Sequence, residues 1–315
     1  MAKIIAELCQ NHLGNRQVLG DAIRAAATAG ADYVKAQIIF SADLIYRPRF
    51  ENGQIENNGV IKTIKRPYQP EFERLQKLDL KPDDYKYFIE EAVKNNVTPI
   101  ASVLARRRIE LVAKLPWPER TIKVASYDCG SYPMLHELCD AFDHLIISTG
   151  ASYDEEIEEA ARIVKSHGKK LTFMHCVTSY PNALEMCHLS RLHYLRQFTD
   201  SVGWSDHTLI ERDELKAAQV ALYLGANIVE RHFTVLKKDE TKDGPISINP
   251  DLLKELVAFK NLTLVEQKEI IEREIPQWQI MLGQEKRELT HTEILNRDYY
   301  RGRFASLVWR QNWEE

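Results

Sequence analysis

Short apolar runs alternate along the chain with longer stretches in which apolar residues recur every three or four positions. The runs fall at residues 4–8, 33–37, 98–103, 122–126, 144–148, 171–176, 202–205 and 227–230. Their length and apolar density predict buried strands. Between them the periodicity predicts helices over 16–28, 82–95, 107–114, 131–141, 154–167, 184–195 and 212–224. Strands that alternate with helices build parallel βα units, since a parallel partner is reached only by a crossover. Eight such units within about 230 residues predict an α/β fold of the (β/α)8 TIM-barrel type rather than an open sheet. Two segments break the rhythm. Residues 46–68 are polar and follow the second strand, where a long loop serves either as a lid over a site or as a surface insertion. Beyond a long helix predicted over 250–275, the chain continues with aromatics and arginines. The expected division is a barrel over 1–275 and a C-terminal extension over 276–315. Its Phe304, Trp309 and Trp313 suit either a homodimer interface or packing on the chain's own barrel.

Composition narrows the classes. The 315 residues carry 42 Lys and Arg against 46 Asp and Glu, a net charge of −4. That balance argues against gripping nucleic acid or an anionic membrane by bulk electrostatics. No run approaches the roughly 18 apolar residues of a membrane span. The N-terminus enters a strand pattern directly at Lys3-Ile4-Ile5, without the architecture of a signal peptide. Cys9, Cys129, Cys139, Cys176 and Cys187 are scattered and odd in number, which points to a reducing cytoplasm.

Chemistry enters at the strand ends. In a barrel of this kind the site is built at the C-terminal ends of the strands. Those ends read Glu7; Lys35 and Gln37; Ser102; Lys123, Ser126 and Asp128; Ser148; His175; Ser205 and His207; Glu230 and His232. Buried strand ends would ordinarily be apolar, so polarity at all of them points to an enzyme. Residues two apart share a face, which groups Lys35 with Gln37, Ser205 with His207 and Glu230 with His232. Two lysines among serine hydroxyls suit a phosphate or a carboxylate. Two histidines from neighbouring strands suit one divalent ion, with oxygen ligands completing its shell. His12 and His175 fit either a hydrogen-bonding or a site role, and Gly150 either an anion contact or a tight turn. Arg106-Arg107-Arg108 reads as a solvated helix start. Dinucleotide, P-loop and serine-hydrolase motifs are absent.

The ordered segments Ala6-Glu7-Leu8-Cys9-Gln10-Asn11-His12, Val34-Lys35-Ala36-Gln37 and Lys123-Val124-Ala125-Ser126-Tyr127-Asp128 resemble the N-acetylneuraminate (sialic acid) synthase family. So do Ser148-Thr149-Gly150, Thr178-Ser179-Tyr180-Pro181, Gly203-Trp204-Ser205-Asp206-His207-Thr208 and Glu230-Arg231-His232-Phe233-Thr234. The last two together are highly specific. The resemblance implies condensation of phosphoenolpyruvate with an amino-sugar aldehyde, giving a 3-deoxy-2-ulosonic acid and phosphate. It implies His207 and His232 as ligands of a divalent ion, Mn²⁺ first, with Mg²⁺ or Co²⁺ as alternatives. The phosphoenolpyruvate pocket maps to Lys35, Ser102, Lys123, Ser126, Thr178 and Ser205. Acceptor contacts map to Gln37, Asp128, Tyr180 and Asp243, with Asp128, Glu7 and Lys123 as the catalytic candidates.

Departures from the family lie on the acceptor side. The chain ends about where a C-terminal antifreeze-like domain begins in the family, so the resemblance implies a form lacking that domain. The stretch around Asp243 reads Thr241-Lys242-Asp243-Gly244-Pro245 in place of the family's Gly-Pro-Asp-His. Two other readings stand beside the synthase. One is a related synthase using a different or phosphorylated aldose, with Arg106–Arg108 and Lys62–Arg66 as candidates for a second phosphate. The other is a non-catalytic sugar-acid-binding barrel.

Overall fold

The computed structural model describes residues 2–304. The eight runs close into a parallel barrel: β1 Lys3–Glu7, β2 Tyr33–Ile38, β3 Thr98–Val103, β4 Thr121–Val124, β5 His144–Ser148, β6 Lys170–His175, β7 Val202–Asp206 and β8 Ile228–His232. Each strand pairs with its sequence neighbour, and β1 pairs with β8 to close the ring, Glu7 opposite His232. Around it run α1 Arg16–Thr28, α2 Pro82–Lys94, α3 Ile109–Ala113, α4 Tyr132–Ala141, α5 Asp154–Ser166, α6 Arg191–Leu195, α7 Lys216–Tyr223 and α8 Pro250–Lys260. The Asn15 side chain starts α1 by accepting from the amides of Gln17 and Val18, two donors that lack a partner within the helix. Among the described residues no helix is long and apolar enough to cross a membrane.

Two-residue alternation sorts the strand side chains. Ile5, Tyr33, Ile100, Ile146, Met174 and Ile228 form an apolar cluster of their own, distinct from the larger core between strands and helices. Two residues further along those strands come Glu7, Lys35, Ser102, Ser148, Cys176 and Glu230. The alternation therefore sets a polar layer directly above an apolar plug.

The structure corrects several expected elements. The helix expected over 250–275 is two helices, α8 and α9 Leu264–Glu274. Thr263 starts α9 and caps it reciprocally with Glu266, a Thr-x-x-Glu signal embedded in an apolar pattern that reads through it. The helices expected over 184–195 and 212–224 are broken at His188 and Glu214, both at positive φ. Within the expected C-terminal extension, the described residues 276–304 fold onto the barrel. Thr290 and Glu293 cap α10 His291–Tyr300, and Phe304 is buried against Leu44, Leu75 and Ala105. Phe304 therefore packs on its own barrel; Trp309 and Trp313 lie outside the described residues. Arg106–Arg108 starts a helix as expected, with none of the three buried, but its guanidinium groups are paired: Arg107 and Arg108 with the buried Asp43, and Arg106 with Glu137.

Candidate active site

The strand ends open into a cavity of ≈ 890 Å³. Glu7, Lys35, Gln37, Ser102, Lys123, Ser126, Asp128, Tyr180, Ser205, His207, His232 and Asp243 all line it. Thr178 is the exception among the expected site residues. It is fully buried behind Gly150, its hydroxyl has no partner among the described residues, and its carbonyl accepts from Asn296 Nδ2 at 2.8 Å. A Cβ on Gly150 would lie 2.6 Å from both Cys176 Sγ and the Thr178 methyl, so glycine there lets the ends of β5 and β6 close together.

At the bottom of the cavity Lys35 Nζ lies 2.6 Å from Glu7 Oε2 and 3.1 Å from Glu230 Oε2, all three nearly without solvent exposure. Gln37 Nε2 and the Cys9 amide donate to Glu7 Oε1 at 3.0 and 2.8 Å, and Ser205 Oγ donates to Glu230 Oε1 at 2.9 Å. Burial alone would raise the Glu230 carboxyl, but the charges of Lys35 and Lys123 outweigh it and hold it below the usual range. Burial lowers the Lys35 ammonium in turn, with Lys123 adding repulsion against the pull of Glu230. Lys123 differs from Lys35. It donates to Ser148 Oγ and, at 3.3 Å, to the Val124 carbonyl, and no carboxylate among the described residues pairs with it. A buried ammonium that contacts a hydroxyl and a carbonyl but no carboxylate can take an anion.

Above this layer stand the two histidines, ring centroids 5.0 Å apart and edge to face. Burial lowers both imidazoles below their ordinary pKa, so both are neutral near pH 7. Nδ1 of each is buried without a hydrogen-bond partner among the described residues. Potential ligand atoms of Cys9, His232 and Asp243 also lie within 4.8 Å of one another. Neutral imidazoles with unused nitrogens, beside a carboxylate and a thiol, fit a divalent cation. Asp243 was expected as a sugar contact; the structure brings it beside His232, and it brings Cys9 there too.

Between the histidine positions runs a buried ion pair. Arg231 and Asp206 are fully buried and 2.7 Å apart, and Thr208 Oγ1 donates to Asp206 and accepts from Arg231. The pair clamps the ends of β7 and β8, fixing where His207 and His232 point. These two charged residues were overlooked in the sequence. The signal was there: a charge directly before each histidine, at a position whose alternation turns it away from the face that Ser205 and Glu230 share with the histidines.

Asp128 sits on the cavity wall, where burial pushes its carboxyl up to about 7 against the opposing charge of Arg301. Tyr300 stacks on Tyr127 at 4.8 Å, and Arg301 pairs with Glu156 at 2.6 Å. The guanidinium packs directly over Gly130, where a Cβ would lie 2.0 Å from it and would make the Arg301 side chain shift. The 46–68 segment forms the facing wall. A hairpin of Gln54–Ile55 and Ile61–Thr63 brings Ile61, Ile64 and Arg66 to the cavity, while Arg47 donates to the Tyr299 and Arg301 carbonyls. His175 and His12 stay outside the chemistry: His175 Nε2 bonds the Cys187 carbonyl, and His12 Nδ1 accepts from the Gly14 amide. All five cysteines are free thiols.

The pattern of the NeuB family matches residues 22–268. The chain belongs to the NeuB family. Over 265 residues it is 31% identical to N-acetylneuraminate-9-phosphate synthase of Drosophila melanogaster, covering 83% of this chain and 68% of that one. It is 29% identical to N,N'-diacetyllegionaminic acid synthase of Campylobacter jejuni, covering 80% and 73%. Among solved structures, the spore coat polysaccharide biosynthesis protein SpsE of Bacillus subtilis superposes with a TM-score of 0.71 at 25% identity, covering 95% and 77%. NeuB relatives thus include synthases of different nonulosonic acids. The hairpin and α10 both contribute walls to this cavity.

Proposed function

We propose that this NeuB-family chain condenses phosphoenolpyruvate with an aldose to give a 3-deoxy-2-ulosonic acid and phosphate. The observation that carries the reading is Lys123, buried with a hydrogen bond to Ser148 and no carboxylate partner among the described residues, in one cavity with Ser102, Ser126, Ser205 and two neutral histidines. The ammonium and hydroxyls would hold the phosphate and carboxylate of phosphoenolpyruvate, fixing its enol carbon toward the acceptor. His207 and His232, with Asp243 and Cys9 beside them, would hold a divalent ion, Mn²⁺ in the first instance. When bound, that ion supplies polarisation of the acceptor's carbonyl oxygen. The enol carbon forms a bond to the carbonyl carbon, water adds to the second carbon, and the phosphate oxygen leaves with its electron pair. Gln37 and Tyr180 would face the acceptor, Glu7 would hold Lys35 in place, and Asp128 would take a proton from the attacking water. The same reading takes residues 1–275 as the catalytic barrel, 276–315 as its extension, and the protein as a cytoplasmic homodimer.

The direct test is phosphate release from phosphoenolpyruvate over a panel of aldoses, with and without Mn²⁺. Release that needs both an aldose and the metal is expected; metal-independent release without an aldose would sink the reading. Asp128 supplies a second test. A base must be the carboxylate, and this carboxyl titrates near 7. The rate should fall as pH drops below about 7, and that acid limb should vanish in Asp128→Asn. An unchanged limb in the variant would remove Asp128 from the role.

A further inference from the structure

The loops after β1 and β8 are stitched together by one buried side chain, Asn11. Its Nδ2 donates to the Phe233 carbonyl at 2.9 Å and to Ser247 Oγ at 3.1 Å, and its Oδ1 accepts from the Thr241 hydroxyl. Ser247 Oγ donates in turn to the Asp243 carbonyl at 2.7 Å, and the Asp243 amide donates to Thr241 Oγ1 at 3.2 Å. These bonds engage the backbone of Asp243 and leave its carboxylate free to point elsewhere. Asn11 lies two residues beyond Cys9, so the same stitching holds Cys9 and Asp243 in register.

Cys9 is fully buried and sits in the left-handed backbone region, at φ 49°, where a residue with a Cβ is held at some cost. Its thiol makes one hydrogen bond among the described residues, to the Glu7 carbonyl at 3.5 Å, the range of a weak donor. Beside it, His232 Nδ1 is buried with no partner among the described residues. Ligand atoms of Cys9, His232 and Asp243 lie within 4.8 Å of one another. Two ligands bound to one ion at about 2.0–2.3 Å stand roughly 3–4 Å apart, so a side-chain shift of about an ångström closes the set. A thiolate and a carboxylate together cancel the charge of a divalent ion, which suits a site this deeply buried.

We propose that Cys9 binds, as a thiolate, directly to the divalent ion held by His232 and Asp243, and that its sulfur favours Zn²⁺ and Co²⁺ over Mn²⁺. This rests on the metal site of the synthase reading above and names the class of ion that site prefers. Thiolate sulfur is a soft ligand that Zn²⁺ and Co²⁺ take readily, whereas Mn²⁺ is served mainly by oxygen and imidazole. The sulfur replaces its proton by the ion, and the proton leaves to solvent. Cys9 lies off the cavity lining, so a bond to it takes no position that a substrate in the cavity would need.

The experiment titrates Co²⁺ into wild type, Cys9→Ser, Cys9→Gly and His232→Ala and follows absorbance. Wild type should develop a sulfur-to-cobalt charge-transfer band in the near ultraviolet that saturates at one ion per chain. Both Cys9 variants should lack the band. Serine keeps the volume of the site and glycine relaxes its backbone, so a loss shared by the two reports the sulfur rather than the fold. Chelator competition should show Zn²⁺ affinity falling at least about a hundredfold in both, against less than about threefold for Mn²⁺. Stoichiometric Co²⁺ binding that needs His232 but gives no band overturns the thiolate and leaves the metal reading standing. A band that survives in both Cys9 variants does the same. Equal losses for Zn²⁺ and Mn²⁺ overturn the preference between ions. Absent Co²⁺ binding, or binding unchanged in His232→Ala, overturns the metal reading and this proposal with it.

Discussion

Lys35→Met is expected to destabilise the protein by about 3–5 kcal/mol, because the substitution leaves two buried carboxylates without their shared cation. Glu7 and Glu230 both lie within 3.1 Å of Lys35 Nζ, and both are nearly without solvent exposure. Methionine replaces the stem of lysine in volume, so lost packing contributes little and the loss reports the charge. Thermal or denaturant unfolding checks this. The double variant Lys35→Met/Glu230→Gln should recover part of the loss, since it removes one of the two stranded charges. A double variant no more stable than the single one would show that the network is not held together by this pairing.

His232→Ala, and His207→Ala beside it, should abolish Mn²⁺ binding in calorimetry and lower turnover by at least about a thousandfold, the scale of Lewis-acid assistance worth several kcal/mol. His232 carries the larger expectation, since its ring adjoins His207 on one side and Asp243 and Cys9 on the other. Both variants should stay folded, because the Arg231–Asp206 pair that fastens their strand ends is untouched. Unaltered Mn²⁺ affinity in either variant would take that histidine out of the metal site. Retained Mn²⁺ binding with lost turnover would instead assign the histidine to substrate.

Most of the barrel was legible because its signals are local. A strand buried on both faces is a short apolar run, its helix a 3.6-residue pattern, and the order of the two repeats eight times. The same locality explains the errors. The helical pattern runs through 250–275 without a visible break, and only the reciprocal cap of Thr263 and Glu266 marks the division at Asn261-Leu262-Thr263. At the site, the rule that residues two apart share a face placed Lys35, Gln37, Ser205 and His207 correctly, because that rule needs nothing beyond the strand itself. Thr178, expected from the resemblance alone, follows the strand, where no such alternation sets its direction, and it is buried off the cavity lining.

What the local pattern cannot contain is who faces whom across the barrel mouth. That Lys35 contacts two carboxylates and Lys123 contacts none among the described residues follows from Glu7 and Glu230 meeting through the closure of β1 on β8, more than 220 residues apart in the chain. That Cys9 and Asp243 join His232, and that Arg74 and Arg303 meet on Glu71, follows from loops converging over a closed ring. Residue types and their alternation are properties of neighbours along the chain, so they decided the barrel and the polarity of its inner face. Charge balance and ligand geometry are properties of neighbours in space, and only the folded ring settles them.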